Sequence, residues 1–254
     1  MTILTAPQTT PSAAEAGLLR QFADRDSGTL SYLLACLRTR QAVFIDPVLA
    51  HVTLYLGVLD ELGLSLTYTL DTHIHADHAT AAAALRDATG SRIAVPRRSG
   101  ARGCNLVLDD GDCLAAGGIT LVAMHTPGHT PHCLTYRWRD RLFTGDSLHI
   151  GGAGSTGEPG GDPGRLYDSV TRLLLPLADE TLVYPGHDSQ GRRVGCIGEE
   201  RRQNPLFAGV SRDEFISRRS DGEAVPAGMD EHIAANLRCG APDTDHIRQK
   251  GKTT

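Results

Sequence analysis

The chain has 254 residues, of which 40% are hydrophobic and 22% charged, a balance typical of a globular protein rather than a disordered one. Its 25 basic and 30 acidic residues give a net charge of −5, which disfavours a nucleic-acid-binding surface. No stretch approaches the ~20 apolar residues of a membrane-spanning helix, and no secretory signal is recognisable, so we expect a cytoplasmic protein without a membrane anchor.

Length and composition along the chain predict one folded domain over residues 18–240. Residues 1–17 are rich in Thr, Ala and Pro, and residues 241–254 are polar and basic, so we expect both to be flexible extensions. The six cysteines form no CxxC pair, and a chain of this length does not need disulfides to fold, which favours reduced thiols.

The first half of the chain reads as strands and helices in alternation. Apolar runs and periodic spacing predict a hairpin, a helix, a strand and a second helix, at residues 30–37 with 42–45, 52–62, 66–70 and 79–88 respectively. Between the last strand and the last helix lies the sequence Asp-Thr-His-Ile-His-Ala-Asp-His. A strand–loop–helix unit therefore carries a cluster of histidines.

The second half is richer in strands. Strands are predicted at residues 119–124, 133–138, 142–144 and 181–184, and a helix at residues 165–175. A glycine-rich loop over residues 151–164 precedes that helix, but it lacks the Lys-Ser/Thr ending of a phosphate-binding loop. We interpret it either as a lid on the substrate side or as a flexible connection.

Seven side chains with metal-binding chemistry occur in short motifs next to predicted strands. Four of them fall within six residues, and three more follow Thr-Pro-Gly, Thr-Gly and Pro-Gly: His73, His75, Asp77 and His78, then His129, Asp146 and His187. Strand ends bring distant residues together, and imidazoles with carboxylates suit zinc, iron or manganese at an open, catalytic site. The remaining histidines have no such context, and we interpret them as ordinary polar residues: His51, His125, His132, His149, His232 and His246.

This motif set resembles the metallo-β-lactamase superfamily and so implies an α/β fold, the αββα sandwich. The sequences Leu-Tyr-Asp-Ser-Val at 166–170, Glu-Glu-Arg-Arg-Gln-Asn-Pro at 199–205 and Asn-Leu-Arg-Cys-Gly at 236–240 resemble the persulfide dioxygenases. That resemblance implies one Fe(II) per chain, held by His73, His129 and Asp146 as both metal ligands and catalytic residues. It makes His75, Asp77, His78 and His187 residues that support the ligands, or the ligands of a second metal.

By the same resemblance, the reaction is the oxidation of a thiol persulfide by O2 and water to sulfite and free thiol. The carrier is glutathione or another small thiol, and neither nucleic acid nor membrane is expected as a partner, while a homodimer is left open. The expected substrate-binding residues are Ser155, Tyr167, Ser189, Arg238 and Cys239. At Ser155 and Ser189 the glutathione-using relatives carry an arginine and a tyrosine, so this chain lacks their carboxylate clamp unless Arg192, Arg193 or Arg238 replaces it.

Two other functions remain open on the sequence. A hydrolase of glyoxalase II type would use the same motifs to hold two zinc ions and attack a thioester. The second is a non-catalytic binding module stabilised by a metal, although burying so many polar ligands without a role costs free energy. The metal content of the protein distinguishes the dioxygenase from the hydrolase, because one iron and two zinc ions belong to different reactions.

Overall fold

Two six-stranded sheets form the centre of the fold in a computed structural model, which describes residues 17–188, 191–219 and 226–243. The first sheet follows the chain order, antiparallel from β1 to β3 and parallel from β3 to β6. Its strands β1 to β6 are Gly17–Ala23, Leu30–Cys36, Gln41–Ile45, Ser65–Leu70, Arg92–Pro96 and Leu106–Leu108.

The second sheet is mainly antiparallel, with a single parallel pair between β10 and β11. Its strands β7 to β12 are Cys113–Ala116, Ile119–His125, Leu134–Trp138, Arg141–Gly145, Leu182–Pro185 and Gly195–Cys196. The helices α1 to α6 are Val52–Glu61, Ala82–Thr89, Pro163–Ser169, Ile197–Gln203, Arg212–Arg219 and Met229–Asn236. A 3-10 turn at Leu49–His51 precedes α1, and a π-helical turn at Val170–Leu174 continues α3.

Three buried clusters hold these layers together. Between the sheets, β2 residues such as Tyr32 pack in one cluster with Tyr136 and Phe143 of the second sheet. The outer face of the first sheet packs on α1 and α2, and the outer face of the second sheet packs on α3, α4 and α5. Each sheet thus buries apolar side chains on both faces, which confirms the predicted αββα sandwich.

The predicted elements of the two halves are present, with shifted ends at two helices. The helix predicted at 79–88 begins at Ala82, because Thr80 N donates to Asn236 Oδ1 and Ala79 O accepts from Leu49 N, which holds both residues outside the helix. The helix predicted at 165–175 begins at Pro163, after Asp162 caps the N–H of Arg165, and becomes π-helical from Val170.

Several elements were not predicted: β1, β5, β6, β7, β12, α4, α5 and α6. The predicted N-terminal extension, apart from Gly17, and residues 244–254 of the C-terminal one lie outside the described residues. All six cysteines are free thiols, in agreement with the expectation that no disulfide staples the fold. No helix in the described ranges is both long enough and apolar enough to cross a membrane.

Candidate metal centre

The topology gathers the predicted ligands at one edge of the two sheets. Because β3 and β4 are parallel neighbours, Asp46 and His73, which follow them, lie at the same end. In the same way the parallel pair β10 and β11 places Asp146 beside His187. The β8–β9 connection adds His129. The ligand atoms of His73, His129 and Asp146 all lie within 4.8 Å of one another, and all three side chains are buried.

His73 is oriented by a relay that ends on a buried carboxylate. Thr72 Oγ1 donates to Asp46 Oδ2 at 2.9 Å, so this hydroxyl oxygen accepts the proton of His73 Nδ1, also at 2.9 Å. The ring therefore turns its bare Nε2 toward the centre. Burial lowers the pKa of His73 well below its ordinary value, and the nearby His75 and His129 lower it further, which keeps the ring neutral.

His129 presents the same nitrogen from the opposite side. Its Nδ1 donates to the Ser155 carbonyl oxygen at 2.6 Å, which leaves Nε2 without a proton in the neutral ring. That atom lies 3.2 Å from Nε2 of His73. Two buried lone pairs facing each other repel, and a metal cation between them would turn this repulsion into coordination. The donor set therefore fits a metal ion.

Asp146 completes the centre with one of its two oxygens. Its Oδ1 accepts hydrogen bonds from His187 Nδ1 at 2.8 Å and His149 Nε2 at 3.2 Å, while Oδ2 faces His129 Nε2 at 3.6 Å. Burial opposes the charged carboxylate, but the two histidines outweigh it and hold the pKa of Asp146 well below its usual range. A charged carboxylate with one free oxygen is available to a metal.

A second group of predicted residues is hydrogen-bonded mainly within itself, although His78 Nε2 is buried without a partner. Asp77 Oδ2 accepts from His187 Nε2 at 3.0 Å and from Thr29 Oγ1 at 2.8 Å, and it lies 3.0 Å from His78 Nδ1. His187 therefore uses both ring nitrogens on carboxylates. Burial opposes its charge, but Asp146 and Asp77 raise the pKa of His187 well above its ordinary value. This ring is an imidazolium clamped between two acids.

His75 does not belong to the group of three clustered ligands, although its ring centroid lies 4.1 Å from that of His73. Its Nε2 lies 3.1 Å from Asp46 Oδ1, and its Nδ1 is buried without a partner. Burial disfavours the imidazolium, yet the adjacent Asp46 carboxylate raises the pKa of His75 to about 9. The ring is thus part of a buried ion pair beneath the centre.

The predicted substrate residues are scattered. Ser155 lines the cavity over the centre, yet it contacts His129 through its main chain, and its Oγ accepts from Gly157 N. Tyr167 donates its hydroxyl to Val210 O and packs in the apolar cluster under α3. Arg238 contacts Ala241 O, and Ser189 lies outside the described residues.

Cys239 lies away from the metal centre, in a small apolar cluster with Ala82, Ile93 and Val95. Its thiol is 1% exposed and donates to Arg102 O at 3.3 Å, and burial raises its pKa to about 12. In agreement with the sequence, no cysteine belongs to any of the metal-ligating groups found in the described residues.

Sequence reasoning missed several residues around the ligands: Thr29, Asp46, Thr72, His149 and Glu158. Asp46 carried a signal in the sequence, since it follows an apolar run and precedes a proline. In the structure it adopts a positive φ of 50°. His149, interpreted as an ordinary polar residue, contacts Asp146. Glu158 has no local signal. Burial raises its pKa, and it lies on the loop over residues 151–164.

A cavity of about 440 Å³ opens above the centre. His129, Asp146 and His187 form part of its wall, Asp77 lies at its side, and Glu158 faces it from the glycine-rich loop. The open side of the three-residue cluster is therefore accessible to a small molecule, which distinguishes it from a closed structural metal site.

Known proteins resemble the chain over most of its length. Residues 24–187 match the Metallo-beta-lactamase superfamily. The mitochondrial persulfide dioxygenase ETHE1 of Homo sapiens is 39% identical over 88% of this chain and 89% of its own. The crystal structure of ETHE1 from Myxococcus xanthus superposes with a TM-score of 0.86 at 44% identity, over 88% of this chain and 100% of its own. A hydroxyacylglutathione hydrolase from Polaromonas is 38% identical over 62% of this chain and 61% of its own.

Proposed function

The chain belongs to the persulfide dioxygenases of the metallo-beta-lactamase superfamily, and on that premise we propose that it binds one Fe(II) and oxidises a small thiol persulfide to sulfite and free thiol. The terminal sulfur gains three oxygen atoms, two from O2 and one from water, and its four electrons reduce the O2. The sulfur–sulfur bond breaks, and the carrier leaves as the thiol.

The observation that carries this proposal is the pair of bare imidazole nitrogens with one carboxylate oxygen. His73, His129 and Asp146 form a two-histidine, one-carboxylate set, the donor set of non-haem iron oxygenases, which leaves positions open for substrate and O2. When bound, the iron would supply the binding of both reactants and the electron chemistry between them.

The chain's own residues keep this set in place. The Asp46–Thr72 relay fixes His73, and the Ser155 carbonyl fixes His129. His187 and His149 occupy one oxygen of Asp146, so only the other oxygen is offered to the metal. Such outer partners fix the orientation of the ligands, and those that accept from His73 and His129 raise the basicity of the two imidazole nitrogens.

A two-zinc hydrolase is the second candidate, because the hydroxyacylglutathione hydrolase of Polaromonas shares 38% of the aligned residues. A second metal would have to draw on the remaining predicted residues, of which His75, Asp77 and His78 have ligand atoms within 4.8 Å of one another. His187 already donates through both ring nitrogens, so it would have to give up one of these bonds to become a ligand. The clamped His187 favours the single metal, whereas the unpartnered His75 Nδ1 and His78 Nε2 leave ligand atoms available for a second one.

The proposal is tested by metal content and O2 uptake of anaerobically purified protein. We expect one iron per chain and persulfide-dependent O2 consumption with sulfite as the product. His73→Ala, His129→Ala and Asp146→Ala should each lose the iron and the activity, because three ligands leave no spare. His78→Ala, in the neighbouring group, should retain most of its iron. If His78→Ala empties the site as fully as His73→Ala, or if two zinc ions are found, the hydrolase is favoured.

A further inference from the structure

Glu158 is a buried carboxylate next to the metal centre that the proposed chemistry does not use. It is 8% exposed, and its Oε2 lies 3.5 Å from His129 Nε2. His129 Nδ1 donates a hydrogen bond to the Ser155 carbonyl oxygen, and Nε2 is the atom that would hold the metal, so His129 is not available as a donor to Glu158. Among the described residues no other donor approaches this carboxylate.

The loop that carries Glu158 is packed in place rather than free to swing into solvent. Glu158 O accepts from Gly161 N, and Asp162 N donates to Gly128 O, both at 2.8 Å. A Cβ at Gly160 would lie 3.0 Å from the Pro131 ring, so this stretch sits directly against the loop that bears His129. A carboxylate fixed at the wall of the cavity without a donor from the protein can bind a positively charged group that enters from outside the chain.

The geometry distinguishes a metal ion from an organic cation as the partner of Glu158. His73, His129 and Asp146 place their ligand atoms within 4.8 Å of one another, and Glu158 is not part of that group, so in this arrangement it does not complete the metal site. Besides Glu158, the cavity is lined by Asp26, Asp77 and Asp146, and His187 is the cation in its wall, with no lysine or arginine among the described residues, so carboxylates outnumber cations. An organic cation fits this cavity, whereas a carboxylate-bearing carrier is repelled.

Resting on the persulfide dioxygenase function, we propose that Glu158 binds the ammonium group of an aminothiol persulfide and so selects its carrier. Such a substrate carries a negative sulfur end and a positive nitrogen end. The site offers the complementary charges, a metal position beside His129 for the sulfur end and the Glu158 carboxylate for the nitrogen end. Glutathione persulfide also has an ammonium group, but its two carboxylates are repelled by the acidic wall, so it matches this arrangement less well.

Three matched persulfides test the proposal, those of cysteamine, 2-mercaptoethanol and 3-mercaptopropionate, which end in an ammonium, a hydroxyl and a carboxylate. We expect the iron-loaded protein to use the cysteamine persulfide with a kcat/KM roughly ten- to a hundredfold above that of the mercaptopropionate persulfide. In Glu158→Gln this preference should disappear, mainly through KM for the cysteamine compound. Equal use of the ammonium and hydroxyl carriers by the unaltered protein would overturn the proposal.

Metal content and a remote variant serve as controls. Glu158→Gln should retain one iron per chain, and a loss of iron would show instead that Glu158 is a metal ligand. Glu180→Gln changes an exposed carboxylate in the turn before β11 and should leave the order of carriers unchanged.

A binding measurement separates this proposal from the proposed function. Anaerobic calorimetry with the free thiols should show cysteamine binding more tightly than 2-mercaptoethanol in the unaltered protein and equally in Glu158→Gln. If no persulfide is oxidised but this difference is found, the dioxygenase function fails and the ammonium site stands. If persulfides are oxidised but the difference is absent, only the ammonium site fails.

Discussion

At the scale of single residues, Asp46 connects the two parts of the histidine motif. Its carboxylate is 1% exposed and accepts from Thr72 N at 2.6 Å and from Thr72 Oγ1 at 2.9 Å, and it pairs with His75 at 3.1 Å. The charge that stabilises the His75 imidazolium therefore also orients His73 through one hydroxyl. Changing Asp46 should act on the metal without touching a ligand.

We predict that Asp46→Asn weakens iron binding by about ten- to a hundredfold, the usual effect of removing an outer partner of a metal-bound histidine. The amide loses the negative charge, and its nitrogen cannot accept the bonds that the carboxylate accepts. Competition with a chelator measures the change. Asp60→Asn, on the exposed face of α1, is the matched control and should bind iron normally. Normal affinity in Asp46→Asn would show that the Thr72 relay does not hold His73.

At the scale of elements, close packing explains why a Pro-Gly sequence precedes both His129 and His187. A Cβ at Gly128, whose φ is 146°, would lie 2.2 Å from the Leu166 Cα. At Gly186 it would lie 2.4 Å from Asp146 Oδ1. The connections that carry His129 and His187 therefore touch α3 and the metal-site aspartate so closely that no side chain fits between them.

We expect Gly128→Ala to lower the free energy of unfolding by about 2–4 kcal/mol. The added Cβ would clash with the backbone of α3, which cannot shift aside as a flexible side chain would. Displacing this connection also displaces His129, so iron content should fall. Urea unfolding and metal analysis check both effects. Gly57→Ala is the opposite control. A Cβ there meets nothing within 4 Å inside α1, and it should stabilise the fold by about 0.5–1 kcal/mol. A Gly128→Ala protein as stable as the parent would contradict the close packing.

The elements that could be predicted are those with strong local patterns. The helix α1 and the hairpin of β2 and β3 show clear periodicity, and the three clustered ligands lie in recognisable motifs. In contrast, β5 has five residues and ends in a proline, and α5 buries a single aromatic residue, Phe215, among charges. Their structure depends on the sheet and the helices they pack against rather than on their own sequence.

The supporting residues of the site could not be predicted for a related reason. Thr29 reaches Asp77 across 48 positions, and Glu158 reaches His129 from a loop whose path the sequence leaves open. Pattern and spacing find side chains that lie together in a motif. Contacts between motifs appear only once the two sheets have been placed against each other.

At the scale of the whole molecule, buried charges at one edge of the sandwich make stability depend on pH. Asp71 has its pKa raised to about 7 by burial, and beside it lies the ion pair of His75 with Asp46. His187 is clamped between two acids. These groups lie at the sheet edge that holds the metal centre, so the fold tolerates buried charge where its ligands must be oriented.

The last prediction is that the metal-free protein loses stability as pH rises from 6.5 to 9. The folded pKa of His75 is about 9 and that of His187 is also raised, against about 6.5 for histidine in an unfolded chain. Their contribution is fully present below pH 6.5 and disappears as pH rises through the folded values, by up to about 1.4 kcal/mol per group for each pH unit. Cys36, with its pKa lowered to about 7 chiefly by the Thr39 hydroxyl, acts in the opposite direction and offsets one of the two histidines.

Urea unfolding of the chelator-treated protein at several pH values between 6 and 9 measures this slope. In His75→Gln the free energy of unfolding should fall less steeply with pH, because a contribution that is lost at high pH is removed. In Cys36→Ser it should fall more steeply, because the opposing contribution is removed. The control is His232→Gln, on α6, whose ring contacts the Ala76 carbonyl outside the ion-pair cluster, and it should leave the slope unchanged. If stability instead rises with pH in this range, the two histidines are not held as imidazolium ions in the folded state, and the clamped arrangement at His187 is wrong.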